Sequence, residues 1–303
     1  MQSIAKRILS TLCLILLSLS LTACQKIKQT IVLSCLMTGR SDCDRIFSSN
    51  NDKQIKYEDK RPVDENGVRY VIGEMGGKPF KVPGDIAQYV QYTDMPTIFD
   101  EENYKKYKPQ PRSYQSPLLV FAFDIRRDGL IRRLGKESDK VYKAEHNLTA
   151  NVWLHVAVHK LIFKDKPIEI DDIFNRYLFN RAFYPLADYE KMSEKKYGLV
   201  VYSMKSELVE KGIDNHSLYV DIDKKGNVQT YIECSNNDVP RPPCTHYMKL
   251  PKEWRFKNLR INVSYNRHQL PHWQKIESLV AETINSFVVN PPPKNPSEVL
   301  YYR

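Results

Sequence analysis

Residues 259–287 constrain the fold more tightly than any other stretch. Leu259, Ile261, Val263 and Tyr265 alternate with Arg260, Asn262, Ser264 and Asn266, which is the period of a strand with one buried face. Pro271 then stands where a helix would start. Trp273, Ile276, Val280, Ile284 and Phe287 follow at steps of three or four residues, forming one apolar stripe. Asn290 and Pro291-Pro292-Pro293 stop it. A helix laid across an antiparallel sheet buries both apolar faces at once. The expected class is therefore α+β: mainly antiparallel sheet packed by a few helices, including an amphipathic helix over 271–289.

Other segments agree with that class. Val68 to Gly73 and Lys78 to Val82 read as strands joined by a turn at Met75-Gly76-Gly77, and Leu118 to Ile125 as a strand buried on both faces. Asn151 to Phe163 is β-rich, and Gly198 to Tyr202 is a further strand. Leu218 to Ile222 and Val228 to Cys234 flank Asp223–Asn227, a hairpin with a five-residue loop. Between Lys166 and Tyr184 the spacing of Ile170, Ile173, Phe174, Tyr177 and Leu178 predicts a helix, with Asp171 and Asp172 in its first turn. A split into two sheet-plus-helix halves near residue 165 stays open.

The first residues have a different character. Lys6 and Arg7 precede an apolar run of 14 residues, Ile8 to Leu21. About 20 are needed to span a bilayer, so the run reads as a secretory signal. Its end, Leu21-Thr22-Ala23-Cys24, resembles the lipobox of bacterial lipoproteins. The resemblance implies removal of residues 1–23, acylation of Cys24 (palmitate among the chains), and, with Gln25 rather than Asp next, an outer-membrane anchor facing the periplasm. Several acyl chains hold a protein firmly where one does not. Residues 24–60 then read as a tether, 61–290 as the α+β periplasmic domain, and 291–303 as a Pro-rich tail.

Loss of the signal takes two cations from the 46 Lys and Arg, leaving 44 against 36 Asp and Glu, a net +8. Such a balance suits an acidic protein or an anionic membrane, and an exported chain meets little nucleic acid. The cations are scattered among Asp and Glu rather than gathered in one stripe. Four cysteines remain in the mature chain beside Cys24: Cys35, Cys43, Cys234 and Cys244. An oxidising compartment favours disulfides, and Cys35–Cys43 with Cys234–Cys244 is the parsimonious one of three connectivities.

No catalytic motif stands out, and no cofactor is implied. Gly73-Glu-Met-Gly76-Gly77-Lys78 fails the phosphate-loop pattern at Ile72 and Pro79 and reads as a hairpin turn. His155 and His159 are the leading metal candidates, sharing one face of a strand, yet no third ligand is placed to join them, and structural histidines are the favoured reading. His246, His268 and His272 carry the same ambiguity. Tyr104-Lys105-Lys106-Tyr107 and Tyr301-Tyr302-Arg303 suit protein recognition.

A wider likeness joins the lipobox to three other features: Gly76 to Pro83, Cys234 and Cys244 with Thr245-His246-Tyr247, and Leu259 to Ile276 with Leu270-Pro271-His272-Trp273. Together these resemble a group of proteobacterial outer-membrane lipoproteins, some of which are immunity proteins against type VI secretion effectors. The resemblance implies a non-enzymatic binding protein that occludes a secreted, envelope-attacking toxin such as a lipase. The alternative is an envelope enzyme or a structural housekeeping lipoprotein.

Overall fold

The computed structural model describes residues 69–96, 100–108, 110–160, 188–213 and 215–290. Cys24, Cys35, Cys43, the expected helix over 166–184 and the tail beyond 290 lie outside them. The strands are β1 (Tyr70–Met75), β2 (Lys78–Pro83), β3 (Gln88–Tyr92), β4 (Leu118–Arg126), β5 (Trp153–Lys160) and β6 (Tyr189–Lys191), then β7 (Val200–Met204), β8 (His216–Ile222), β9 (Val228–Ser235), β10 (Pro243–Met248) and β11 (Leu259–Asn266). The helices are α1 (Glu101–Lys106), α2 (Lys136–Glu145), α3 (Ser206–Glu210) and α4 (Trp273–Ser286).

Nine strands form one sheet in the order β3-β4-β5-β11-β10-β9-β8-β7-β6, every neighbour antiparallel. The class is α+β, as the alternation in 259–266 predicts. β5 lies before residue 165 and pairs with β11, so a single sheet spans both halves of the chain. β1 and β2 form a separate hairpin. Its two-residue turn places Gly76 and Gly77 at φ 63° and 80°, a conformation costly for any residue with a Cβ. A side chain at Gly76 would also stand 2.9 Å from Leu259 Cγ.

The principal core lies between one face of the sheet and α4. Leu154, Val156 and Val158 of β5 and Ile261 and Val263 of β11 meet Ile276, Val280 and Ile284 of the helix, all fully buried. The helix proper starts two residues later than Pro271, because that proline sits inside a 3-10 turn, Arg267–His272. The β1–β2 hairpin closes the same core: Phe80 packs 6.0 Å from Phe121, and Lys81 donates to the Phe287 carbonyl at 2.8 Å. A second apolar cluster, including Leu218, Val220, Tyr231 and Tyr247, forms on the opposite face towards β6. It draws on Leu208 and Val209 of α3.

One polar network interrupts the main core. His246, wholly buried, bonds Glu277 of α4 through Nε2 at 3.0 Å and meets the Tyr265 hydroxyl through Nδ1 at 3.2 Å. Thr230 donates to the same Glu277 carboxylate. Burial and the Glu277 charge hold the Tyr265 phenol well above its ordinary range. A buried polar group is stable only when bonded, and here the bonds tie one helix turn to β9, β10 and β11. Beside them Cys234 and Cys244, directly opposed on β9 and β10, are joined by a disulfide and fully buried.

Candidate functional site

Side chains on the sheet face away from α4 turn polar over β4, β5 and β11. Cross-strand register sets Asp124, His155, Ser264, Thr245 and Glu233 in one row over five adjacent strands. Period-two alternation puts all five on the same face. Ala122 and Ala157, paired one step along, keep the floor beside this row low.

Asp124 is the hub. It is 5 % exposed, yet three donors converge on its carboxylate. His155 Nδ1 lies 2.8 Å from Oδ1. Gln88 Nε2 and the Arg132 guanidinium both donate to Oδ2 at 2.9 Å. Burial alone would raise the Asp124 pKa. The His155 hydrogen bond and charge, followed by the Gln88 and Arg132 bonds, outweigh it and hold the carboxyl well below the usual range.

Backbone pairing explains why the donors meet there. β3 pairs with the first half of β4, reaching Gln88 opposite Ala122. The chain leaving β4 folds back along the same edge, Arg126 bonding Leu130, Ile125 facing Ile131, and Arg132 donating its amide to the Asp124 carbonyl at 2.9 Å. Asp124 sits where these two partners of the β4 edge abut. Arg132 also bonds Asp139 at 3.2 Å and stacks 3.6 Å over the Tyr142 ring, which couples the hub to α2.

The two histidines singled out from sequence do share one face of β5, and their surroundings differ. His155 is committed to Asp124 through Nδ1, and the Tyr89 ring stands edge-on to it at 6.2 Å. His159 lies between Val120 and Arg260. Burial, then the charges of Arg260 and His155, push its pKa down to about 3, so it is neutral at pH 7. Its Nε2 finds no hydrogen-bond partner among the described residues, as is true of Asn262 Oδ1 on the adjoining strand. Also among those residues, no three His, Cys, Asp or Glu side chains group as a metal site requires.

The remaining candidates fall elsewhere. His246 belongs to the core network, while His268 and His272 lie on the 3-10 turn before α4. Tyr107 is half-buried, its hydroxyl held by Arg112 at 2.5 Å and donating to Asp94 at 3.1 Å. That stretch is therefore tied into a local network. Asp171, Asp172, Tyr301 and Tyr302 lie outside the described residues. The Asp124 hub itself escaped the sequence reading. An Asp inside the apolar run Leu118–Ile125 was the available signal, since a charge there must be paired if the strand is buried.

No protein-family model matches the chain, and no curated protein matches it. Among solved structures it is similar to Smlt3025, an immunity protein of the Stenotrophomonas maltophilia type IV secretion system, at 13 % identity and a TM-score of 0.45. That match covers 74 % of this chain and 97 % of Smlt3025. A second match is the Neisseria meningitidis iron-regulated outer membrane lipoprotein FrpD, at 10 % identity and a TM-score of 0.39, covering 78 % and 99 % of the two chains. Likeness at this level assigns neither family nor function. The secretion system named for Smlt3025 is type IV, where the motif resemblance above implied type VI.

Proposed function

We propose that this chain is a lipid-anchored periplasmic binding protein, an immunity lipoprotein of the outer membrane that neutralises a secreted envelope-attacking toxin such as a lipase. The observation that carries the reading is the apolar run Ile8 to Leu21 closing on Leu21-Thr22-Ala23-Cys24. It implies a folded domain held in the compartment such toxins attack. Neutralisation is by occlusion: the domain covers the toxin's active site and performs no chemistry. Tethering raises its effective concentration at the membrane, and the mature +8 charge speeds encounter with an acidic toxin. The toxin arrives through a neighbour's secretion apparatus, of type VI on the motif resemblance.

The test is protection. A strain lacking this gene should be killed on contact with its parent, and restoring this chain should restore survival. Equal survival with and without it would end the immunity reading.

A second reading, an envelope hydrolase, has one observation behind it. The buried Asp124 and the half-buried His155 form an acid–imidazole pair with Ser264 as the next cross-strand neighbour, the residue order that activates a serine. Covalent labelling by a fluorophosphonate, lost in Ser264→Ala, would favour it. The binding reading expects no labelling.

A further inference from the structure

Seven large apolar side chains are exposed among the described residues, and two of them flank the Asp124 hub: Tyr89 at 45 % and Leu134 at 55 %. Their backbone setting is unusual. Gln88 and Arg132, the two residues that donate to Asp124 Oδ2, are each followed by a non-glycine residue in the left-handed region, Tyr89 at φ 51° and Arg133 at φ 63°. Such backbone is costly for a residue with a Cβ and persists where the surroundings hold it. Here the residue before each is bonded through its side chain to the same buried carboxylate oxygen. Each time the residue after the anchor is turned out to solvent, and Leu134 follows Arg133.

The surface so built is aromatic, basic and apolar. From Arg126 to Glu145 the chain carries seven Lys and Arg against four Asp and Glu, and Asp124 is buried beneath the surface. Tyr and Arg are the residue types that dominate binding energy at protein interfaces. Side chains presented from a fixed backbone lose little entropy on binding.

We infer that Tyr89, Arg133 and Leu134 form the docking surface for an acidic protein partner. Within the immunity reading, on which this inference rests, the partner is the toxin. Leu134 and the Tyr89 ring enter an apolar recess on it, and Arg133 meets a carboxylate at the rim. An anionic bilayer would also attract the cations, but it requires no stereospecific presentation, whereas two left-handed residues, each following a side chain bonded to one buried oxygen, supply it.

Glycine tests this cleanly, because it adopts both backbones without strain. Tyr89→Gly and Arg133→Gly should keep the melting temperature of the full chain and weaken binding to the purified toxin at least tenfold. Leu134→Asp should weaken it similarly. Exchanging Lys224 and Lys225 for Glu, in the exposed turn between β8 and β9, should leave affinity within twofold. Raising NaCl from about 0.05 to 0.5 M should slow association of the native chain more than that of Arg133→Gly. Protection with unchanged affinity in all three variants would overturn the docking surface while leaving the immunity reading intact. A native chain that neither protects nor binds would overturn both. Loss of binding to phosphatidylglycerol vesicles without loss of toxin binding would assign the patch to the membrane instead.

Discussion

At the scale of single residues, Asp124 shows why a buried charge survives in an otherwise apolar strand. Its carboxylate accepts from His155, Gln88 and Arg132, so little of its desolvation is left uncompensated. Removing it takes an acceptor from Gln88, His155 and Arg132, the last keeping Asp139, and breaking a buried pair costs about 3–5 kcal/mol. Asp124→Ala should therefore lower unfolding stability by about that amount in a urea titration, and a loss below about 1 kcal/mol would contradict the hub. His159 makes a separate prediction. Its folded pKa of about 3 lies below the unfolded value of 6.5, so the unfolded state binds more protons between those values. Stability is complete above pH 6.5 and declines as pH falls towards 3, by up to ~1.4 kcal/mol per pH unit. His159→Gln should flatten the profile between pH 6.5 and 4. Asp124 does not contribute in that window, because its lowered pKa matters only below the ordinary carboxylate range.

At the scale of elements, the contact between α4 and the sheet is apolar at Ile276, Val280 and Ile284 and polar at Glu277. Glu277→Ala would leave the buried His246 ring and the Thr230 hydroxyl without their acceptor, an expected loss of about 1–3 kcal/mol by thermal unfolding. The disulfide beside them closes a short loop, and replacing both Cys234 and Cys244 by Ala should cost about 2–3 kcal/mol. The strands with strict alternation or long apolar runs, β4, β5, β8, β9 and β11, were legible in the sequence, as was α4, because burial writes its period directly into residue order. β10 was not. Its residues Pro243 to Met248 carry Cys, Thr, His and Tyr, and their pairing is imposed by β9 and β11 on either side. β3 was hidden for a related reason: its bulged pairing breaks the alternation at Tyr89. α2 has only a half-buried face and few apolar residues, so no stripe marks it. The hub was illegible because Gln88, Asp124, Arg132 and His155 come from four separate segments.

At the scale of the whole molecule, one continuous nine-stranded sheet carries a helix over one face. Its unusual backbone at Tyr89 and Arg133 is held in place beside a basic segment. The proposed binding role places the domain outside the cytoplasm. Everything functional in this account depends on that placement. The direct measurement is mass spectrometry of the native protein from isolated outer membranes. A chain beginning at Cys24 and carrying the mass of its acyl groups is the predicted result, with Cys24→Ser blocking both processing and membrane retention. An unmodified chain retaining residues 1–23, recovered from the cytosol with reduced thiols at Cys234 and Cys244, would contradict it.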